Sequence, residues 1–149
     1  MNERKKLFVQ MDIMEQQTLI MLWRKLTLGN KSRHCVNEMY NRCITDEMIQ
    51  DAWKNNHIIE FKVVNGEKRM LVRSTREHYC HYDICRGGRK VGYSKEKTEC
   101  NVCLVVNIDN GEIITCYSCP VSMKKDYVNK VAYDSSYDYA MDVRAELKE

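Results

Sequence analysis

Residues 100–119 read C-N-V-C-L-V-V-N-I-D-N-G-E-I-I-T-C-Y-S-C, and the fold turns on how this stretch is read. Two runs rich in β-branched residues, Val102 to Ile108 and Ile113 to Ser118, flank Asp109-Asn110-Gly111-Glu112. Asn-Gly between such runs is the strongest short-range hairpin signal. A two-residue type I′ loop would pair Asp109 with Glu112 and set Ile108 opposite Ile113, Val106 opposite Thr115 and Leu104 opposite Tyr117. Both faces of this hairpin are largely apolar, so it belongs inside a sheet with a layer packed on it.

Upstream, His57 to Val64 and Glu67 to Ser74 flank Asn65-Gly66 and read as a second hairpin. With Val64 opposite Glu67, one face carries Ile59, Phe61, Val63, Met70 and Val72. The other face carries Glu60, Lys62, Arg69 and Arg73, and is wet or functional.

Three helices precede this hairpin. The first spans 12–28, with Asp12 as cap, Glu15 at the capping-box position and Gly29-Asn30 as stop signal. Its apolar residues cover more than a narrow stripe, so it is well buried in its own core or it contacts a partner. Ser32 caps a second helix to about Asn41, with Val36, Met39, Tyr40 and Cys43 at core-face spacing. Thr45, followed by Asp46-Glu47, caps a third that runs to about Asn55.

Residues 76–99 lack periodicity and read as an inserted loop or lobe, and a helix is expected within the tail 120–149, from about Ser136 to Leu147. Helices followed by hairpins give an α+β domain, with the helices on one face of a four-stranded, mainly antiparallel sheet.

The 149 residues fit a single domain. Net charge is +3, with seven basic against three acidic side chains in residues 1–33. That imbalance weakly favours an anionic partner. No signal peptide and no apolar run of membrane-spanning length is found, which points to a cytoplasmic protein without membrane contact.

Eight cysteines in such a chain read as metal ligands or small buried hydrophobes before disulfides. Cys80-x4-Cys85 and Cys100-x2-Cys103 have spacings that suit tetrahedral zinc, and a site made of these four would staple the insertion to the sheet. Against zinc, neither Cys100-x2-Cys103 nor Cys116-x2-Cys119 is followed by a knuckle glycine. Cys103 and Cys116, on one face in the expected register, fill core space equally well.

The succession of His34 on an early helix, N-R-C-I-T-D-E at 41–47, I-I-E-F at 58–61, N-G-E-K-R-M-L-V-R-S at 65–74 and V-V-N-I-D-N-G-E-I-I-T-C-Y at 105–117 resembles small RelE-like and colicin-like ribonuclease domains. These belong to the superfamily that groups barnase, EndoU, colicin-type tRNases and RelE-type toxins, common in toxin systems and phages. The resemblance covers residues 32–118 apart from the insertion. It implies metal-independent RNA cleavage, with no cofactor for catalysis. In such chemistry a base deprotonates the 2′-hydroxyl, cations stabilise the phosphorane and an acid protonates the leaving oxygen.

On that resemblance His34 is the acid or base, Arg73 the phosphate clamp, Ser74 and Thr115 hydrogen-bond donors, and Tyr117 an acid or stacking group. Arg42 and Arg69 are expected to contact nucleic acid. Each has a plainer role beside it. His34 could be a solvated helix residue next to Glu38, Arg73 a cross-strand partner of Glu60, and Thr115 and Tyr117 strand packing residues. Arg42 lies about 12 Å along a continuous helix from His34, which suits a helix-end or RNA contact better than chemistry.

Two functions therefore stand open. One is a toxin- or phage-type endoribonuclease acting on RNA, paired with an antitoxin or immunity protein. The other is a non-catalytic binding or inhibitor protein that occupies a host protein or nucleic-acid complex, with the cysteine-rich insertion as its distinguishing feature.

Overall fold

A computed structural model describes residues 3–86 and 89–121 of the chain. Strand β1 (Glu3–Leu7) leads through a short 3-10 turn into helices α1 (Ile13–Lys25), α2 (Arg33–Arg42) and α3 (Asp46–Lys54). Strands β2 (Asn56–Val64), β3 (Glu67–Cys80), β6 (Thr98–Asn107) and β7 (Ile113–Pro120) follow, with a separate hairpin of β4 (Asp83–Arg86) and β5 (Arg89–Tyr93) between β3 and β6. The main sheet is antiparallel throughout, in the order β1-β2-β3-β6-β7. The architecture is the expected α+β. The sheet has five strands rather than four, because β1, E-R-K-K-L, carries no alternation that would mark it as a strand.

Local chemistry sets the helix ends. Asp12 and Glu15 form a reciprocal capping box, with Glu15 N–H donating to the Asp12 carboxylate at 2.8 Å. Ser32 accepts from the Cys35 N–H at 2.9 Å and donates to the Ile114 carbonyl at 2.6 Å, so the cap of α2 also ties it to β7. Thr45 caps α3 through the Met48 N–H. Helix α1 ends at Lys25, short of the expected 28, because the chain turns extended at Leu26.

The helices cover one face of the sheet. Leu19, Cys35, Ile44, Ile49 and Ala52 pack there on Ile58, Met70, Val72, Val102, Leu104 and Cys116. Trp23 of α1 and Trp53 of α3 stack with ring centroids 4.4 Å apart. Burial of this apolar surface is the main favourable term holding the layers together.

The first Asn-Gly hairpin keeps its expected pairing of Val64 with Glu67, and both Asn65 (φ 50°) and Gly66 (φ 82°) are left-handed as a type I′ turn requires. A bulge between Ile58 and Glu60 then changes the faces. Ile58, opposite Val72, takes the core position expected of Ile59, and Ile59 joins Leu71 on the far face.

The second hairpin departs from its expected register. Val106 pairs with Ile113, Leu104 with Cys116 and Cys103 with Tyr117. Asn110 is not left-handed, so a type I′ turn does not form. Instead Ile108 N–H bonds across to the Lys68 carbonyl on β3, and Gly111 is drawn against the α1–α2 connection, where Gly29 N–H donates to its carbonyl at 3.0 Å. Tertiary contacts override the local turn preference here. Tyr117 consequently shares a face with Cys103, while Cys116 turns to the helices; the two cysteines expected together lie on opposite faces.

Residues 76–99, expected as a loop, extend β3, form the β4–β5 hairpin and begin β6. The helix expected near Ser136 lies outside the described residues.

Candidate functional site

The sheet face turned away from the helices gathers the polar residues. By register, one cross-strand row carries Lys5, Lys62, Arg69 and Asn107. The next carries Leu7, Glu60, Leu71, Val105 and Thr115, and a third carries His57, Arg73, Cys103 and Tyr117. Like charges directly opposite one another in a sheet are unfavourable, so Lys62 opposite Arg69 calls for anions nearby. Glu67 supplies one, 2.6 Å from the Arg69 guanidinium.

Glu60 (2 % exposed), Arg73 (0 %) and Tyr117 (6 %) are buried on this face among Ile59, Leu71, Cys103 and Cys119. The Arg73 Nε donates to the Cys103 Sγ at 3.4 Å. Burial works against the guanidinium charge, but neighbouring Cys103, Cys119 and Tyr117 outweigh it, and Arg73 stays protonated. A buried cation with a carboxylate and a phenol on the same face is the residue set that charge-stabilised proton transfer uses.

The residues named from sequence are only partly brought together. Arg73 and Tyr117 share the far face, with half-buried Thr115 one row away. Ser74 is buried in the β3 bulge, where its hydroxyl accepts from the Val102 N–H at 2.9 Å and donates to the Arg76 carbonyl at 2.7 Å. Those bonds hold the bulge and leave Ser74 a structural role. His34 is exposed on α2, next to Cys35, whose side chain is buried against the helix-side residue Cys116 of β7. The sheet thus separates His34 from Arg73.

Arg42 is not a surface contact for nucleic acid. It is 3 % exposed, and its guanidinium grips both oxygens of Asp83 at 2.9 and 3.0 Å, bonds Glu38 and stacks over the Tyr93 ring at 5.4 Å. Lys90 adds its ammonium 3.6 Å from Asp83 and 3.9 Å from the same ring. The cluster pins the β4–β5 hairpin to α2, and it holds Glu38 below the usual carboxylate range against the opposing effect of burial. The register that would have shown this is long-range, between residues 38–42 and 83–93, and no local pattern reports it. Arg69, half-buried, remains on the polar face.

Of the four expected zinc ligands, Cys80 and Cys100 meet on the helix side, whereas Cys103 faces the other way beside Arg73. Cys103 therefore cannot complete a tetrahedron with them. The side chain of Cys85 lies outside the described residues. Burial pushes the Cys80 thiol up to about 11 and raises Cys100 further, which keeps both protonated and apolar. Among the described residues no group of three or more His, Cys, Asp or Glu side chains could hold a metal.

Sequence reading missed Asp51 and His78. His78 Nε2 lies 2.8 Å from one Asp51 oxygen, while Asn55 Nδ2 (2.9 Å) and Arg76 (3.4 Å) reach the other. These contacts outweigh burial and hold the Asp51 carboxyl below its ordinary range. The network clamps α3 to β3 just beyond the bulge. Asp51 and His78 are 27 residues apart, with no spacing to signal the pair.

No family model, curated protein or solved structure matches the chain. Among the described residues no helix is long and apolar enough to cross a membrane.

Proposed function

We propose that the protein is an endoribonuclease-like, RNA-directed protein that works from the sheet face opposite its helices. One observation carries this reading: Glu60, Arg73 and Tyr117 share that face, next to the cationic row of Lys62 and Arg69. The row would take the phosphate backbone through charge, independently of base sequence. Glu60 would accept the 2′-hydroxyl proton, Arg73 would stabilise the phosphorane and Tyr117 would protonate the leaving oxygen. In this assignment Glu60 replaces His34, which the sheet holds apart from Arg73. No metal is required by any of these steps, in keeping with the ribonuclease resemblance. The three groups are enclosed in this structure, so cleavage would require the face to admit a phosphodiester.

The test is incubation of the purified protein with total RNA in EDTA, beside Tyr117→Phe, Glu60→Gln and the pair Lys62→Glu/Arg69→Glu. Cleavage should fall by about two orders of magnitude or more on removing the acid or the base. Binding should weaken, with a shallower salt dependence, in the charge-reversed pair. Intact RNA with wild-type protein, together with salt-independent or absent binding, would return the face to a packing role and leave the non-catalytic binding protein as the better account.

A further inference from the structure

Helix α1 packs Leu19, Ile20 and Trp23 on the core, but it carries further apolar residues on its outer side. Ile13 is 75 % exposed, Met14 78 %, Met21 53 % and Leu22 39 %, while only Leu19 is buried. Met14, Thr18, Met21 and Lys25 recur at intervals of four, three and four residues, which places them on one stripe of the helix. Isolated apolar residues on a surface need no explanation, but Met14 and Met21 on this stripe, with Ile13 and Leu22 flanking it, form one exposed patch, and a patch does. Beside the stripe lies an open groove of ≈ 430 Å³ whose apolar lining comes from Met11, Met14, Leu19, Leu22, Phe61 and Ile108. Ridge and groove thus sit side by side on one surface.

We propose that this surface docks a second copy of the same chain, with the two α1 helices packed antiparallel about a two-fold axis. Charge complementarity selects that occupant. Asp12 and Glu15 lie at the start of α1, and Arg24 and Lys25 at its end. Antiparallel pairing brings the acidic start of each helix to the basic end of the other, and it opposes the two helix dipoles as well. A two-fold axis between Thr18 and Met21 sets Thr18 against Met21 of the partner copy and Met14 against its Lys25, whose aliphatic stem can cover the methionine. The stripe of each copy then lies along the stripe of the other, and the grooves flank the contact. Methionines suit such a contact, because their unbranched side chains adapt to an imperfect fit. Pairing through the helix layer keeps the contact away from the opposite sheet face, so it is independent of the reading offered for that face.

A single pair of helices of this length, about 20 Å, makes a small interface, and micromolar association is expected. Sedimentation velocity on the full chain, from about 5 to 200 μM, should show a monomer–dimer equilibrium, with a dissociation constant on the order of ten micromolar. Reducing buffer is needed because Cys43 is exposed. Met21→Glu changes a solvent-facing side chain, so circular dichroism should stay unchanged while the dissociation constant rises at least tenfold. Lys25→Glu should weaken pairing several-fold in low salt and less in high salt, because it places like charges at the helix ends. A wild-type chain that stays monomeric throughout the range would overturn the proposal. So would a dimer whose affinity Met21→Glu leaves unchanged.

Discussion

Arg73 and Cys103 are cross-strand partners on β3 and β6, and the guanidinium Nε reaches the sulfur at 3.4 Å. That contact decides two questions at once. It takes Cys103 away from Cys80 and Cys100, and it places a permanent positive charge beneath the sheet face with no exposure. A cation so placed is expensive to keep unless its surroundings compensate it. Arg73→Ala removes the charge and much side-chain volume together, and should cost about 3–5 kcal/mol in urea unfolding. Cys103→Ala leaves the charge and removes one weak acceptor, and should cost about 1–2 kcal/mol. Similar losses in the two variants would show that packing at this point, rather than the charge, is what the fold depends on.

The second prediction concerns Arg42. Its Nη2 donates to both oxygens of Asp83 and so joins a helix to a hairpin that has no place in the main sheet. Removing Arg42 takes the closest cation from buried Asp83 and from Glu38, and leaves them to the more distant Lys90 ammonium, at 3.6 and 3.9 Å. Arg42→Met should therefore destabilise by about 3–5 kcal/mol. Replacing both, as Arg42→Met/Asp83→Leu, should recover a large part of that loss. Hydrogen exchange would localise the effect, with faster exchange at β4 and β5 in the single variant. If α1 and the main sheet lost protection equally, the hairpin would be part of one cooperative unit instead of a docked lobe.

Helix positions were legible in the sequence because caps and stop signals act within four residues: Asp12, Ser32 and Thr45 each bond a nearby N–H. The Asn65-Gly66 hairpin was legible for the same reason. Features decided by distant contacts were not. The Ile58/Glu60 bulge exchanged Ile58 for Ile59 in the core, and the bond from Ile108 to Lys68 moved the second hairpin off its expected register. A single shift of that kind carried Tyr117 to the face of Arg73 and separated Cys103 from Cys116. The polar identity of Glu60, Lys62, Arg69 and Arg73 was readable from alternation. Their burial was not, since alternation assigns a face without saying what lies over it.

Asp51 gives the third prediction, in pH. Its carboxyl is held below the ordinary carboxylate value by His78, Asn55 and Arg76, against the opposing pull of burial. A depressed folded-state pKa means the folded protein binds fewer protons than the unfolded chain across the intervening pH range. The stabilisation is therefore complete above the unfolded value and is lost as pH falls through the folded one. Asp51→Asn should cost about 1.5–3 kcal/mol near neutral pH, because it weakens hydrogen bonds to a charged acceptor. The gap between the variant and wild type should close as the pH drops below the carboxylate range. Urea midpoints measured from pH 7 down to about 3 would trace it. A gap that stayed constant would mean that Asp51 acts through packing alone.

The last prediction separates two causes of glycine dependence that the structure supplies side by side. Gly66 and Gly111 both have positive φ, 82° and 75°. A Cβ on Gly66 would meet nothing within 4 Å, so Gly66→Ala carries only the left-handed backbone cost, about 1–2 kcal/mol. A Cβ on Gly111 would stand 2.1 Å from the Thr27 carbonyl oxygen, which is backbone and cannot swing aside. Gly111→Ala must therefore bear the same dihedral cost and also push the α1–α2 connection off the β6–β7 turn. That motion would break the bond from Gly29 N–H to the Gly111 carbonyl and strain the neighbouring bonds from Ser32 N–H to Ile113 and from Ile113 N–H to Asn30. A loss of about 4 kcal/mol or more is expected in urea unfolding, at least twice that of Gly66→Ala. Equal losses would show that the connection moves freely, and that the register of the second hairpin is set by the bond from Ile108 to Lys68 without help from α1.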